Sequence, residues 1–250
     1  MVGIVGAVIG SFINVVVVRL RARLTLWGRS ACPECKQRLA PHHLIPVLSW
    51  VLLRGRCAYC HKRIHIQYPL VEILMACLAI GAYLQHGLQP GLLELWSLVF
   101  DIVFFAVLLT LAVFDARWKL LPIEVMTASV VIFAMANVLR HGPSVPSMVI
   151  GALVGAVFFG FQVVVSKGRW MGKGDPLLAV LIGTALGWPL SGYALYFTYM
   201  GGGLVMLVLW LFGLVKHGSR VPFAPWLALG AVLATWFGPA LHASLRYLWT

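Results

Sequence analysis

Eight apolar stretches decide the solvent of this chain before any other feature is weighed. They run Val2–Val18, Pro69–Gln85, Leu92–Phe114, Leu121–Leu139, Pro146–Ser166, Pro176–Leu190, Gly192–Val215 and Pro222–Tyr247. Most approach the ~20 residues that a helix needs to cross a bilayer. The two stretches after Asp175 are divided at Trp188-Pro189, because proline cannot continue a helix interior. Soluble domains carry about 25% charged residues; this chain carries 10%, with mean hydropathy +0.94. The expected fold is all-α, a polytopic membrane bundle of about eight transmembrane helices. The N-terminus lacks a basic n-region and an A-x-A-like site, so no cleavable signal peptide is expected.

Charge then sets orientation. The net charge is +12, and ten Lys/Arg lie between Arg19 and Arg63 against a single acid, Glu34. With that loop inside, eight alternating spans also put Arg117, Lys119, Lys167, Arg169, Lys173, Lys216 and Arg220 inside. This is the cytoplasmic bias of cationic loops, and both termini then face outward. A basic segment could suggest nucleic acid, but aromatic interleaving for base stacking is missing. The expected partner surface is anionic lipid. The expected organisation is a first helix at 1–18, a cytoplasmic cysteine domain at 19–68 and a membrane core at 69–250.

The loop reads "CPEC" at Cys32–Cys35 and "CAYC" at Cys57–Cys60, with 21 residues between. Paired C-x-x-C knuckles at this spacing predict a zinc site built from Cys32, Cys35, Cys57 and Cys60. The second knuckle continues into His61, which also matches a c-type haem attachment motif. Haem would leave the first knuckle without a purpose, and covalent haem belongs on the outer side. Cys77, in an apolar helix, reads as packing. Between the knuckles, "LIPVLSWVLL" (Leu44–Leu53) is too short to span; it either lies in the membrane interface or forms a local core. Gly6, Gly10 and Asn14 make a small-residue face on the first helix, suited to close packing.

The chain has only seven acids. Glu34 reads as solvated, and Glu94 lies near the outer end of its span. Asp101 lies inside the third span, where its simplest role is a hydrogen-bonded contact within the bundle. Along the helix it stands roughly 21 Å from Asp115. Asp115, Glu124 and Asp175 gather at inner helix ends. In "MGKGDP", Asp175 is expected to cap a helix whose first residue is Pro176. That explains neither Gly172 nor Gly174. Two readings stay open for Asp115 and Asp175. They are unrelated interfacial aspartates, or they form a dyad in which one carboxylate activates water and the other protonates a carbonyl oxygen. In the second reading the glycines allow unwound backbone where a peptide could approach.

Several segments together resemble the type IV prepilin peptidase family of membrane aspartyl peptidases. They are "GSFINVVVVRL", the cysteine block with "IPVLSWVLLRGRCAYC" and "YPLVE", "FDARWKLLP", "MGKGD" and "VPFAPWLALGA". The resemblance implies catalytic aspartates at Asp115 and Asp175, with Gly172 and Gly174 supporting the G-x-G-D motif. It implies prepilin or pseudopilin substrates, cleaved after a glycine that ends a short basic leader. It further implies methylation of the new N-terminus, often phenylalanine, from S-adenosylmethionine. The setting would be the bacterial inner membrane, with the active site at the cytoplasmic face, in type IV pilus or type II secretion systems. Because such leaders are basic, Glu72 and Glu124 become possible substrate contacts. One departure stands out: Ile123 follows Leu121-Pro122, and the acid Glu124 comes one residue later. The rival class is an ion- or proton-coupled transporter with a zinc-bearing regulatory loop, using Asp101, Asp115 and Asp175 as ligands or relay. Against it, no internal repeat is apparent, and two of those acids share one face instead of the midplane.

Overall fold

The computed structural model describes residues 1–87, 91–169, 171–214 and 222–247. Among the described residues it is all-helical, with isolated bridges only at Ala31–Arg38 and Arg56–Arg63. The helices are α1 (Val2–Arg21), α2 (Leu48–Leu52), α3 (Gln67–His86), α4 (Leu92–Trp118), α5 (Ile123–Leu139), α6 (Val145–Ser166), α7 (Asp175–Leu186), α8 (Leu190–Leu211) and α9 (Ala224–Tyr247). Each of the eight expected spans contains a helix; the fourth and eighth start two residues late, at Ile123 and Ala224, the sixth ends at Leu186 instead of Leu190, and the seventh ends at Leu211, its expected end at Val215 lying outside the described residues.

Six of these helices are long and apolar enough to cross a membrane: α1, α3, α4, α6, α8 and α9. Helices α5 and α7 fall short, at 17 and 12 residues. At 1.5 Å per residue, α7 extends only about 18 Å, against a hydrocarbon core of about 30 Å. An eight-span count therefore exceeds what helix length alone supports.

The chain forms two compact units, Met1–Thr110 and Leu111–Thr250, divided within α4. In the first, α1 lies directly on α3. A Cβ on Gly6 would stand 2.7 Å from the Ala79 Cβ, and one on Gly10 would stand 2.7 Å from the Glu72 Cα. Only glycine permits that approach. Asn14 fastens the same seam by donating to the Tyr68 carbonyl at 3.1 Å, and it accepts from the Gln67 amide at 3.3 Å. The small-residue face expected on the first helix is thus its contact with α3.

In the second unit, α6 and α7 meet backbone to backbone where Gly151 faces Gly183. α7 stops at Gly187, whose φ of +69° with a ψ of 177° is a backbone that essentially only glycine adopts. The last carbonyls of a helix lack intrahelical partners. Here the buried Asn137 amide of α5 donates to two of them, on Thr184 and Ala185, at 2.9 and 3.0 Å. These contacts fix the C-terminal end of α7 and with it the direction in which Asp175 enters.

Candidate active site and cysteine cluster

Asp115 ends the penultimate turn of α4, and Asp175 begins α7. Both are buried, at 7% and 3% exposure. They line one cavity of about 370 Å³. Each carboxylate is held by a backbone donor. Ala224, the first residue of α9, donates its N–H to the Asp115 Oδ2 at 3.0 Å. Gly172 donates to the Asp175 Oδ2 at 2.7 Å.

This geometry corrects the capping expectation. The residue before the helix is Gly174, there is no side-chain cap, and Asp175 is itself the first helical residue. Its carboxylate turns back to Gly172 rather than forward onto α7. Pro176 then takes the second position, where its missing N–H still leaves no intrahelical bond unmade. The glycines are explained by crowding, since neither has positive φ. A Cβ on Gly172 would lie 3.3 Å from the Asp175 Oδ2, and one on Gly174 would lie 3.1 Å from the Leu121 Cβ.

The cavity wall combines apolar and cationic groups. Leu121, Met171, Leu177 and Phe223 are apolar; Lys119, Arg169 and Lys173 bring positive charge beside the two aspartates. Phe223 is backed by Phe159, with ring centroids 5.6 Å apart. Glu124 stands exposed in the first turn of α5, next to the cavity residue Ile123. The backbone donor of Ala224 and the Phe223 wall had no assigned role in the sequence. A main-chain N–H leaves no side-chain signature; the apolar run starting near Pro222 and the segment "VPFAPWLALGA" pointed to that region without giving it a role.

Glu72 is placed differently. It is buried in α3, and its Oε2 accepts the backbone N–H of Val47 at 2.7 Å. Asp101 pairs with His86, Oδ2 to Nε2, at 2.7 Å. That is the polar contact within the bundle expected for it.

The four loop cysteines converge, with all Sγ atoms within 4.8 Å of one another. The two knuckles repeat one geometry. In the first, the N–H of Cys32 bonds the Gln37 carbonyl and that of Lys36 bonds the Cys32 carbonyl, at 3.0 and 2.9 Å. In the second, Cys57 bonds Lys62 and His61 bonds Cys57, at 2.9 and 3.0 Å. Lys36 (φ 58°) and His61 (φ 56°) occupy the same left-handed position. His61 is therefore a turn residue of its knuckle, and it stands outside the sulfur cluster. The backbone N–H groups of Cys60 and Tyr59 aim at the Cys57 sulfur and favour its thiolate form. A thiolate is what a metal requires. A tetrahedral ion about 2.3 Å from each sulfur spaces them roughly 3.8 Å apart, close to the 3.9 Å between the Cys32 and Cys60 sulfurs. The set fits a four-thiolate metal site.

Comparison with known proteins bears on both regions. Residues 4–86 match the Bacterial Peptidase A24 N-terminal domain, and residues 102–211 match the Type IV leader peptidase family. A Bacillus subtilis (strain 168) protein described as a prepilin leader peptidase/N-methyltransferase is 31% identical, over 95% of this chain and 94% of its own length. A Pectobacterium carotovorum subsp. carotovorum protein with the same description is 31% identical over 92% and 90%. One from Pseudomonas putida is 30% identical over 96% and 91%. No solved structure gives a significant match. With this identity sustained across nearly its whole length, the chain belongs to the type IV leader peptidase family.

Proposed function

We propose that this chain is a multi-pass membrane aspartyl endopeptidase. It removes the basic leader of type IV prepilins or pseudopilins and N-methylates the residue it exposes. The observation that carries the reading is the pair of buried carboxylates, Asp115 and Asp175, lining one cavity in a member of this family.

In the proposed reaction one carboxylate takes a proton from water as the water oxygen attacks the scissile carbonyl. The other, protonated, donates to the carbonyl oxygen; as the C–N bond breaks, the proton taken from water passes to the leaving amine and a hydroxyl of the intermediate returns its proton to the second carboxylate. Gly172 and Ala224 act through the backbone by holding the two carboxylates in register. Leu121, Leu177 and Phe223 shield the reacting groups from bulk water and favour an apolar side chain beside the cut.

The leader is proposed to approach along Glu124, the exposed acid at the cavity edge. Lys119, Arg169 and Lys173 repel a basic leader, so net charge cannot draw it in. The Glu72 carboxylate is already engaged by Val47, so its proposed contribution is indirect, through the loop it holds.

Cys32, Cys35, Cys57 and Cys60 are proposed to hold one zinc ion that keeps residues 19–68 folded as a cytoplasmic module, between a first helix at 1–18 and a peptidase core at 69–250. S-adenosylmethionine supplies the methyl group when bound. The proposed setting is the bacterial inner membrane with the cavity on the cytoplasmic side, supported by the cationic loops. The test is mass spectrometry of a prepilin co-expressed with this protein. Loss of the leader and gain of one methyl group are expected together, and a precursor of unchanged mass would overturn the reading.

A further inference from the structure

Helix α2 buries none of its residues. Leu48, Val51 and Leu52 are 51%, 57% and 71% exposed. Their i, i+3, i+4 spacing puts them on one side of the helix. Leu44 and Ile45, just before it, are also exposed. A local core is therefore not what this apolar segment forms, and in water such a face would be unfavourable.

The segment is tethered at a definite place. Val47, immediately before α2, donates its N–H to Glu72. Glu72 lies in the second turn of α3, one of the helices able to span a membrane. Val47 also adopts a left-handed backbone (φ 61°), which a β-branched residue takes only when something holds it. The Leu48 N–H closes the turn on the Pro46 carbonyl at 2.6 Å, and the Glu72 bond anchors it. It keeps α2 beside the start of a lipid-crossing helix.

A second apolar group sits just past the end of α1. The Arg19 guanidinium donates to the carbonyls of Thr25, Leu26, Gly28 and Arg29. That closes a turn which leaves Leu24 62% and Trp27 91% exposed. Tryptophan favours the headgroup level of a bilayer. The polar residues around both groups are overwhelmingly cationic, with Arg23, Arg29, Arg54 and Arg56 close in sequence.

We propose that the cysteine loop lies on the membrane, with α2 and Trp27 set into the headgroup region and its arginines on anionic lipid phosphates. The occupant of the α2 face is the bilayer itself, which has both the apolar depth and the negative charge that this face and its surroundings match. This goes beyond the peptidase reading and does not depend on it.

The test uses the full chain in nanodiscs containing phosphatidylglycerol. A photoreactive benzoylphenylalanine is placed at Leu52, at Trp27, or at the exposed Glu34 in the first knuckle. After irradiation, peptides carrying a lipid mass are expected at positions 52 and 27, at least tenfold above position 34. Cross-links from position 52 to polypeptide would assign the face to a protein partner and overturn the proposal. Adducts absent from position 52, or equal at all three sites, would also overturn it. In a second measurement, amide exchange over residues 47–53 is compared between phosphatidylglycerol and phosphatidylcholine nanodiscs. Slower exchange on the anionic surface is expected, and equal rates would refute the part assigned to lipid charge. The Leu48→Ser/Val51→Ser/Leu52→Ser variant alters only exposed side chains. It should keep its metal while exchange over 47–53 quickens several-fold; unchanged exchange would count against insertion.

Discussion

The Asp175 carboxylate reaches back three residues to accept the Gly172 N–H at 2.7 Å, instead of capping the helix that Asp175 begins. A carboxylate spent on the first turn of α7 would face along the helix. Turned toward Gly172, it faces the cavity it shares with Asp115. The G-x-G-D motif thus reads as a device for aiming one acid: the first glycine supplies the donor, and the second lets the chain pass Leu121.

Asp115→Asn and Asp175→Asn should each lower leader cleavage by ~10²–10⁴-fold or more, since each removes a proton-transfer group from the proposed reaction. Both variants should still fold, because an amide oxygen can accept the same backbone N–H bonds. Asp101→Asn should retain cleavage, because Asp101 is paired with His86. Rates on a purified prepilin check all three. A cleaving Asp175→Asn enzyme would remove that residue from the dyad, and an inactive Asp101→Asn enzyme would revive the proton-relay reading.

Crowding at Gly174 supports a sharper test. Its missing Cβ would sit 3.1 Å from both the Cβ and the Cδ1 of Leu121, closer than ordinary contact. Gly174→Ala should shift the start of α7 by a few tenths of an ångström and cost roughly tenfold in cleavage, a fraction of the ~10²-fold that a 1 Å misplacement can cost. Leu121→Ala opens that space, so Gly174→Ala/Leu121→Ala should recover part of the loss. A double variant no better than Gly174→Ala would mean that backbone freedom, and not space, is what the glycine provides.

Much of this was legible in the sequence, for identifiable reasons. Long apolar runs declare helices in lipid, and Pro189 marked the break between α7 and α8 because its ring forbids continuation. Paired knuckles announced the sulfur cluster because a tetrahedral ion constrains spacing. Side-chain chemistry placed Asp115 and Asp175 at helix ends. The sequence was silent where the backbone acts. The donors from Ala224 and Gly172 are main-chain groups, which leave no side-chain signature. Glu72 was legible as an acid near the start of its span, but not as the acceptor for Val47, which lies 25 residues earlier.

That Glu72–Val47 bond predicts a local effect. Glu72→Ala leaves a part-buried N–H without its acceptor, at a cost of about 1–3 kcal/mol. Because Val47 holds a strained left-handed backbone, the relief should be taken by the loop and not by α3. Limited proteolysis should then cut between Pro46 and Arg54 several-fold faster than in the unmodified protein, with the protection of α3 unchanged. Equal cutting would show that the tether does not hold α2.

Disrupting the cysteine cluster should separate the two proposed activities. Cleavage in the proposed reaction needs only the carboxylates of α4 and α7, whereas methyl transfer needs a donor pocket, and residues 19–68 are, among the described residues, the largest segment outside the six span-length helices. So short a segment builds little core of its own, and α2 buries nothing, so metal binding is expected to supply much of its folding free energy. The purified protein should contain one zinc per chain, and Cys57→Ser should lose it; metal analysis decides. Cys35→Ser or Cys60→Ser should then yield mature pilin that lacks its leader and also lacks its methyl group. A modest fall in cleavage is expected as well, because a disordered loop would release Glu72 from Val47 and loosen the start of α3. The mass of mature pilin from each variant is the readout. Full methylation with cleavage lost would reverse the division, and would assign the metal-bound loop to presenting the leader at the cavity.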